Sequence, residues 1–295
     1  MDIRFLESFI TVVEHGSLVE ASRRLGVTPA AVAQRIHALE QEIGAALLTR
    51  IGRGVHPTTA GLAILEHGRR IVADARDLRN LATVDLPAGE IRIGAISTAL
   101  TGLLPEALMQ MVKAAPDLDV YLLPGTSSDL YRNVIDGSLD AAVLAQPPFA
   151  LPKTCEWQAL RTEPMIVLAP ASATGRDAHD LLRTERFIRY DKINWGGRLA
   201  DGYLRQAGIR PRERLEMDSL EAIAIMVDAG LGVSLVPNWA PPWPENLRLF
   251  KAPLPANAPQ RQLGIVWRRT SPNLRLVRVV IDALKASAAQ VANLP

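Results

Sequence analysis

The sequence predicts an α/β chain in two parts: a helical N-terminal segment built around a winged helix-turn-helix, then a larger region of strands and helices on a mainly parallel sheet. Three observations carry that reading. Apolar residues recur at helix period from residue 2 to residue 82. Two short helical patterns meet across a brief Gly-containing break in "ASRRLGVTPAAVAQRI", residues 21 to 36. After the Pro- and Gly-bearing "TVDLPAGE" the pattern changes to short apolar runs alternating with amphipathic helices.

Composition bounds the rest. A chain of 295 residues suits about two domains and can bury a sizeable core. Its 48% hydrophobic and 22% charged residues exclude a disordered or fibrous chain. A net charge of +2 offers no bulk attraction for nucleic acid, so any DNA contact must come from a local motif. Cys155 is the sole cysteine, which excludes an intrachain disulfide and agrees with a reducing cytosol. No nucleophile motif surrounds it. The N-terminus is amphipathic, unlike a secretory signal, and no apolar run approaches the ~18 residues of a membrane span. The expectation is a soluble cytoplasmic protein with no membrane partner.

In the first helix Phe5, Phe9 and Val12, with Leu6, Ile10 and Val13 beside them, give a broad apolar face that ends at His15-Gly16. Ser17 and Glu20 form the S-x-x-E pattern of a capping box, which predicts a second helix over about 18–25. Thr28 suits an N-cap and Pro29 the first helical position, so a third helix follows, burying Val32, Ile36, Leu39 and Ile43. Its opposite side carries Ala30, Gln34, His37 and Gln41, small at first, then neutral and polar, with no acid. A helix facing only solvent usually mixes Glu and Lys there. A helix meant for a DNA groove needs small residues for close approach and neutral donors or acceptors for base edges. Two helices around so short a turn make a helix-turn-helix, in which the first two support the third against a major groove.

Next, "LLTRIGRGVHPTTAG" places Gly52 and Gly54 at a hairpin bearing Arg50, Arg53 and His56, a small wing with cations suited to phosphates. Thr58 caps a further helix that runs to residue 82. At about 24 residues it spans ~36 Å, more than a linker needs for reach. Ile64, Ile71 and Leu78 repeat every seven residues, as do Gly61, Gly68 and Ala75. Gly68 inside the helix costs about 1 kcal/mol relative to Ala, which a close helix–helix approach would offset. The pattern predicts a dimerising coiled coil with Ile64, Gly68, Ile71, Ala75 and Leu78 at the contact. A core helix of the following domain is the alternative.

The stretches "FLESFITVVEHGSLVEASRRLGVTPAAVAQRIHALEQEIGAALLTR" and "HPTTAG" resemble the N-terminal region of LysR-type transcriptional regulators. The S-x-x-E-A-S-x-x-L run, the turn, the third helix, L-E-x-E-I-G and the R-x-G-R-x-x-x-x-T-x-A-G wing exit stand in that family's order. The third helix opens Thr28-Pro29-Ala30-Ala31-Val32-Ala33 where the family commonly has Ser-Gln-Pro-Ala-Val-Ser. The resemblance implies sequence-specific binding of double-stranded DNA through Thr28, Pro29, Ala30, Ala33, Gln34, Arg35 and His37. Arg50, Arg53, His56 and Thr58 would serve at the wing. It further implies a homodimer that assembles into a homotetramer, contact with RNA polymerase, and regulation by a small-molecule effector rather than catalysis.

Beyond residue 89, "EIRIGAIS", "LDVYLLPG" and "SLDAAVLAQ" read as strands, with "LTGLLPEALMQMVKAAP" and "SSDLYRNVIDG" helical between them. The second half repeats the theme, with strands in "MIVLAP", "ERFIRY", "RERLEM" and "GVSLVP" and helices in "GGRLADGYLRQAG" and "SLEAIAIMVDAG". Late in the chain, "QLGIVW" and a Ser271-capped helix return to the first half. The family resemblance, carried here by "GTSSDLYRNVIDGSLDAAVL" and "AIAIMVDAGLGVSLVP", implies two α/β subdomains like type II periplasmic binding proteins, joined by two crossing strands. The expected divisions are a winged helix-turn-helix over 1–58, a linker helix over 59–82, a hinge over 83–89 and an effector domain over 90–295. Within the last, subdomain I covers about 90–161 and 268–295, and subdomain II about 162–267.

In open α/β sheets ligands bind where strand C-termini and helix N-termini converge. Three helix starts are rich in hydroxyl residues or glycine: Ser97-Thr98-Thr101, Thr126-Ser127-Ser128 and Asn194-Trp195-Gly196-Gly197. Their free N–H groups and positive dipole ends favour a carboxylate, and the resemblance places effector sites there too. Ser97, Thr98, Thr101, Thr126, Ser127, Asn194 and Trp195 are therefore the candidate contacts for an effector expected to be an organic anion. Trp195 either stacks on a ligand ring or packs the hinge, and Arg189 reads as a solvated strand residue. The chain has no G-x-S-x-G, P-loop or H-E-x-x-H, and His15, His37, His56 and His67 lack metal spacing, so no catalytic residue, metal or cofactor is expected. Two rivals remain, an α/β enzyme carrying a DNA module and a DNA-binding protein that ignores ligands. Ligand-dependent stabilisation of residues 90–295 without turnover separates them.

Overall fold

The computed structural model describes residues 1–52, 54–81, 89–116 and 118–292. The chain divides into two compact units, one N-terminal and one C-terminal.

The N-terminal unit holds α1 (Ile3–His15), α2 (Leu18–Arg24), α3 (Pro29–Ile43), the hairpin strands β1 (Leu48–Ile51) and β2 (Gly54–Pro57), and α4 (Thr59–Leu81). Side chains cap the helix starts: Asp2 accepts from the Arg4 N–H, Ser17 from Glu20, Thr28 from Ala31 and Thr58 from Gly61. Helices α1, α2 and α3 enclose Val12, Ala21, Val32 and Ile36, while Leu6, Phe9, Ile10 and Leu39 pack with Leu47 beneath α4. Neither short helix could bury these residues alone. Ile43, placed in the core by the apolar pattern, is instead 42% exposed in the last turn of α3, just before the Gly44 cap.

Gly68 makes its close approach inside the chain. A Cβ there would stand 3.3 Å from Leu6 Cδ2 and 3.7 Å from Ile10 Cδ1. Gly68, and Ile64 which joins the same cluster, thus face α1 rather than an open seam. This corrects their assignment to a dimer contact, because a seven-residue repeat shows which residues share a face and not whose helix covers it. Ile71 and Leu78 stay uncovered, at 40% and 69% exposure. The hinge expected at 83–89 lies outside the described residues up to residue 88.

The C-terminal unit opens with β3 (Gly89–Ala95), α5 (Ser97–Gly102), α6 (Leu104–Ala114), β4 (Leu118–Pro124), α7 (Ser127–Asp136) and β5 (Ala141–Ala145). The run read as one helix over "LTGLLPEALMQMVKAAP" is two, breaking at Leu103 where Pro105 starts a new first turn. Strand β6 (Cys155–Pro170) follows, then α8 (Ala178–Thr184), β7 (Arg186–Tyr190), α9 (Trp195–Gln206), β8 (Arg212–Met217), α10 (Leu220–Asp228), β9 (Ser234–Pro237), β10 (Leu249–Pro253), β11 (Gln260–Arg268) and α11 (Leu274–Ala292). β3 pairs in parallel with both β4 and β5. β11 runs antiparallel to β5 and to the first part of β6, whose last residues pair with β9 and β10. One continuous strand thus serves both subdomains, and "MIVLAP" is only its end. β11 lies in the first sheet from Gln260 onward, so the second subdomain ends before that residue rather than at 267. Each subdomain has its own core: Ile91, Ile93, Val143 and Ile265 under α6 and α11 in the first, and Val167, Leu182, Phe187 and Leu235 with Ile188, Ile223 and Trp239 in the second.

Candidate nucleic-acid interface and ligand cleft

On α3, Thr28, Pro29, Ala30, Ala33, Gln34 and His37 are all exposed, and the His37 Nε2 lies 3.1 Å from the Gln41 amide nitrogen. Arg35 does not join them. It is half-buried, with Nη1 3.5 Å from Ser8 Oγ of α1. Adjacency in sequence to Gln34 turns a side chain about 100° around the helix, which takes Arg35 off the outer face. At the wing, Arg50 pairs across the hairpin with Val55 and His56 with Thr49, and both Arg50 and His56 are exposed. Arg53 lies outside the described residues. The Thr58 hydroxyl donates to the Ala46 carbonyl at 2.7 Å and accepts from the Gly61 N–H at 3.0 Å. Its proton and its cap are both committed, so Thr58 joins wing to helix and is corrected from DNA contact to structural cap.

Sequence reasoning missed Glu40. Its Oε1 accepts from the backbone N–H groups of Leu47 and Leu48, at 2.7 and 3.2 Å, and so ties α3 directly to the first wing strand. Gly61 completes this junction: a Cβ there would stand 2.2 Å from the Leu47 carbonyl oxygen.

In the C-terminal unit, a cleft of about 270 Å³ lies between the two subdomains. Ser97, Thr98, Thr126, Ser127 and Asn194 line it, together with Tyr190, Asp218, Ser219 and Arg261. Their helix starts meet there because the right-handed crossovers deliver the N-termini of α7, α9 and α10 to the carboxyl ends of their strands. The hydroxyls differ in what they can still do. Thr126 gives its proton to Asp129 Oδ2 at 2.8 Å and caps α7. Ser127 accepts from the Ala145 N–H at 3.2 Å, and Thr98 accepts from Arg261 Nη2 at 3.2 Å. Each of these two can still donate its own proton to an acceptor in the cleft.

Two expected contacts fall elsewhere. Thr101 bonds back to the Ser97 carbonyl at 3.3 Å, one turn along α5 from the lining. Trp195 is buried against Phe149 and Tyr131, at ring distances of 5.7 and 6.1 Å, in a cluster with Leu130 and Val266. Of its two readings, packing is the one seen. Arg189 is not solvated: it is buried, donates to Asp201 at 2.8 Å and pairs with Glu213.

Arg261 is the lining's main surprise. Only 3% exposed, it directs Nε and Nη2 to Glu163 Oε2, at 2.6 and 2.5 Å, and Glu163 is fully buried. Glu163 Oε1 has no hydrogen-bond partner, and Arg161 Nε stands 3.8 Å from it. Burial pushes the Tyr190 phenol above its ordinary range, against the pull of Arg261. A sequence signal existed for Arg261, since it is a charged residue two positions before the apolar run that Leu263 opens, but its partner is on another strand.

The family model described as LysR substrate binding domain matches residues 85–289, and that described as Bacterial regulatory helix-turn-helix protein, lysR family, matches residues 3–62. The Hydrogen peroxide-inducible genes activator of Dickeya chrysanthemi is 30% identical over 280 residues, covering 92% of this chain and 91% of that protein. Among solved structures, a full-length OxyR from Pseudomonas aeruginosa matches at 25% identity and a TM-score of 0.66, covering 97% of this chain and 95% of its own. Full-length CbnR in complex with its target DNA matches at 23% identity and a TM-score of 0.66, covering 97% of this chain and all of that one, 100%.

Proposed function

The chain belongs to the LysR family of transcriptional regulators, a family of regulators and not enzymes, and from that premise we propose how its two units work. The exposed face of α3 reads operator bases in a major groove, with Arg50 and His56 of the wing on the flanking phosphates. The observation that carries this is the exposed outer face of α3, free of acids and held in register with the wing by Glu40. CbnR, similar in fold, is seen on its target DNA. Gln34→Ala is expected to weaken specific binding by roughly 1–3 kcal/mol and to relax base preference. Arg50→Ala is expected to weaken all sequences alike and to lower the salt slope by about one. Anisotropy titrations on specific and scrambled duplexes separate the two. Unchanged base preference in Gln34→Ala would mean that another face reads the DNA.

The working form is a homodimer that pairs into a tetramer, acts in the cytoplasm and contacts RNA polymerase, as the family resemblance supports. No helix among the described residues is long and apolar enough to cross a membrane. Leu62, Ile71 and Leu78 are large apolar groups left exposed on α4 among the described residues, and Ile71 and Leu78 share the predicted seam for a partner helix. Because Ile71 is not needed by its own chain's core, Ile71→Asp should leave the fold intact while placing a carboxylate in the seam. Sedimentation should then show a monomer or a much weaker dimer. An unchanged assembly would locate the contact elsewhere.

The cleft binds a small organic effector with an acidic group, which meets Thr98, Ser127 and the starts of α7 and α9. A ligand that grips both walls favours one placement of the subdomains, and such differential affinity is what can alter regulation. The Dickeya relative is named for induction by hydrogen peroxide. A thiol route to that response is disfavoured here: Cys155 is buried, and burial pushes its thiol up, away from the thiolate that attacks peroxide.

A further inference from the structure

The two ionised side chains in the cleft lining are Arg261 and Asp218, and they stand in different conditions. Arg261 is already neutralised from behind, since both of its bonding nitrogens reach Glu163. Asp218 is exposed, two residues before Leu220 begins α10, and its carboxylate has no hydrogen-bond or ion-pair partner among the described residues. The uncompensated formal charge of the lining is therefore negative. A simple anion would meet that carboxylate, and like charges across a small cleft repel. A ligand with a cationic group for Asp218 and a carboxylate for the hydroxyl donors meets no such conflict.

Two further facts fix the scale. Arg261, Tyr190 and Asp218 all line the one cleft, so a single small molecule bound in it meets both charged groups. A cleft of about 270 Å³ equals roughly nine water volumes at ~30 Å³ each, which suits a ligand of about as many heavy atoms. We propose that the effector is a free α-amino acid, its carboxylate toward Thr98, Ser127 and Arg261 and its ammonium toward Asp218. This rests on the effector cleft proposed above and narrows its ligand class.

The test uses the full-length protein with the standard L-amino acids, each beside its 2-hydroxy acid, which keeps the carboxylate and side chain but replaces the ammonium. Thermal shift finds the binder and calorimetric titration measures it. The amino acid should bind more than about tenfold tighter than its 2-hydroxy analogue. Asp218→Asn should erase that preference, weakening the amino acid while leaving the 2-hydroxy acid bound at least as tightly as before, since the like charge that opposed it is gone. Ser219, whose side chain caps α10 by accepting from the Ala222 N–H, is untouched by the change, and an unaltered melting temperature of the ligand-free variant verifies the fold. A 2-hydroxy acid that binds as tightly as its amino acid, or a preference that survives Asp218→Asn, overturns the zwitterion and leaves the acid-binding cleft standing. No binding by either series overturns both.

Discussion

Replacing Arg261 with Met is expected to destabilise the C-terminal unit by about 3–5 kcal/mol and to abolish effector binding. Glu163 would be left fully buried with neither oxygen bonded, since Oε1 already lacks a partner and Oε2 depends on Arg261. Arg161, with Nε 3.8 Å away, is too far for a direct hydrogen bond without moving. All five tryptophans lie after residue 156, so tryptophan fluorescence during urea unfolding reports this unit alone. The double change Arg261→Met with Glu163→Leu removes both charges and should recover most of the lost stability while remaining unable to bind ligand. That split matters, because it separates what the pair does for the fold from what Arg261 does for the effector. A loss below about 1 kcal/mol in Arg261→Met alone would show that water reaches the pair.

Gly61→Ala is expected to cost the N-terminal unit about 1–3 kcal/mol and to reduce specific DNA binding at least tenfold, by roughly 1.4 kcal/mol or more. The added methyl would stand 2.2 Å from the Leu47 carbonyl oxygen and 3.3 Å from Pro57 Cβ. Leu47 cannot retreat freely, because its carbonyl accepts from the Thr58 N–H at 2.9 Å and its own N–H is held by Glu40. The strain therefore moves the wing relative to α3. Gly68→Ala is the control. Its methyl meets only flexible side-chain ends, Leu6 Cδ2 at 3.3 Å and Ile10 Cδ1 at 3.7 Å, and gains about 1 kcal/mol of helix propensity. Far-UV circular dichroism melts and operator titrations on both variants make the comparison. Equal effects at the two positions would mean that α4 does not seat on Leu47 as described.

The N-terminal unit was legible because its signals are local. Gly16, Ser17 and Thr28-Pro29 each mark a helix end through bonds that span a few residues, and the structure places the ends where those residues stand. What escaped was identity of partner: Gly68 is small for Leu6 of its own chain, Arg35 turns to Ser8, and Thr58 spends its hydroxyl on Ala46. Periodicity names a face and is silent on what covers it. In the cleft the same division holds. Ser97, Ser127 and Asn194 were readable as helix starts, whereas Arg261, Tyr190 and Asp218 enter from β11, β7 and the approach to α10. Their meeting depends on the register that sets Arg261 opposite Glu163, residues nearly a hundred apart in sequence. No spacing rule in a single sequence reaches across that interval. The continuous β6 escaped for a related reason: "CEWQALRTE" is too polar to look like a buried strand, and it is half-buried at the junction instead.

On α3 two vocabularies are written on one helix. Val32, Ile36, Leu39 and Glu40 hold it in place, through the core and through the wing. Ala30, Ala33 and Gln34 point outward, and His37 reaches no farther than its neighbour Gln41. Exposed positions of this kind usually tolerate exchange within about 0.5 kcal/mol. Operators can therefore diverge, by drift or by design, without any renegotiation of the scaffold. A library varied at those four outward residues would search promoter space while the sensor behind it stays the same, which makes the chain a natural chassis for rewired gene circuits.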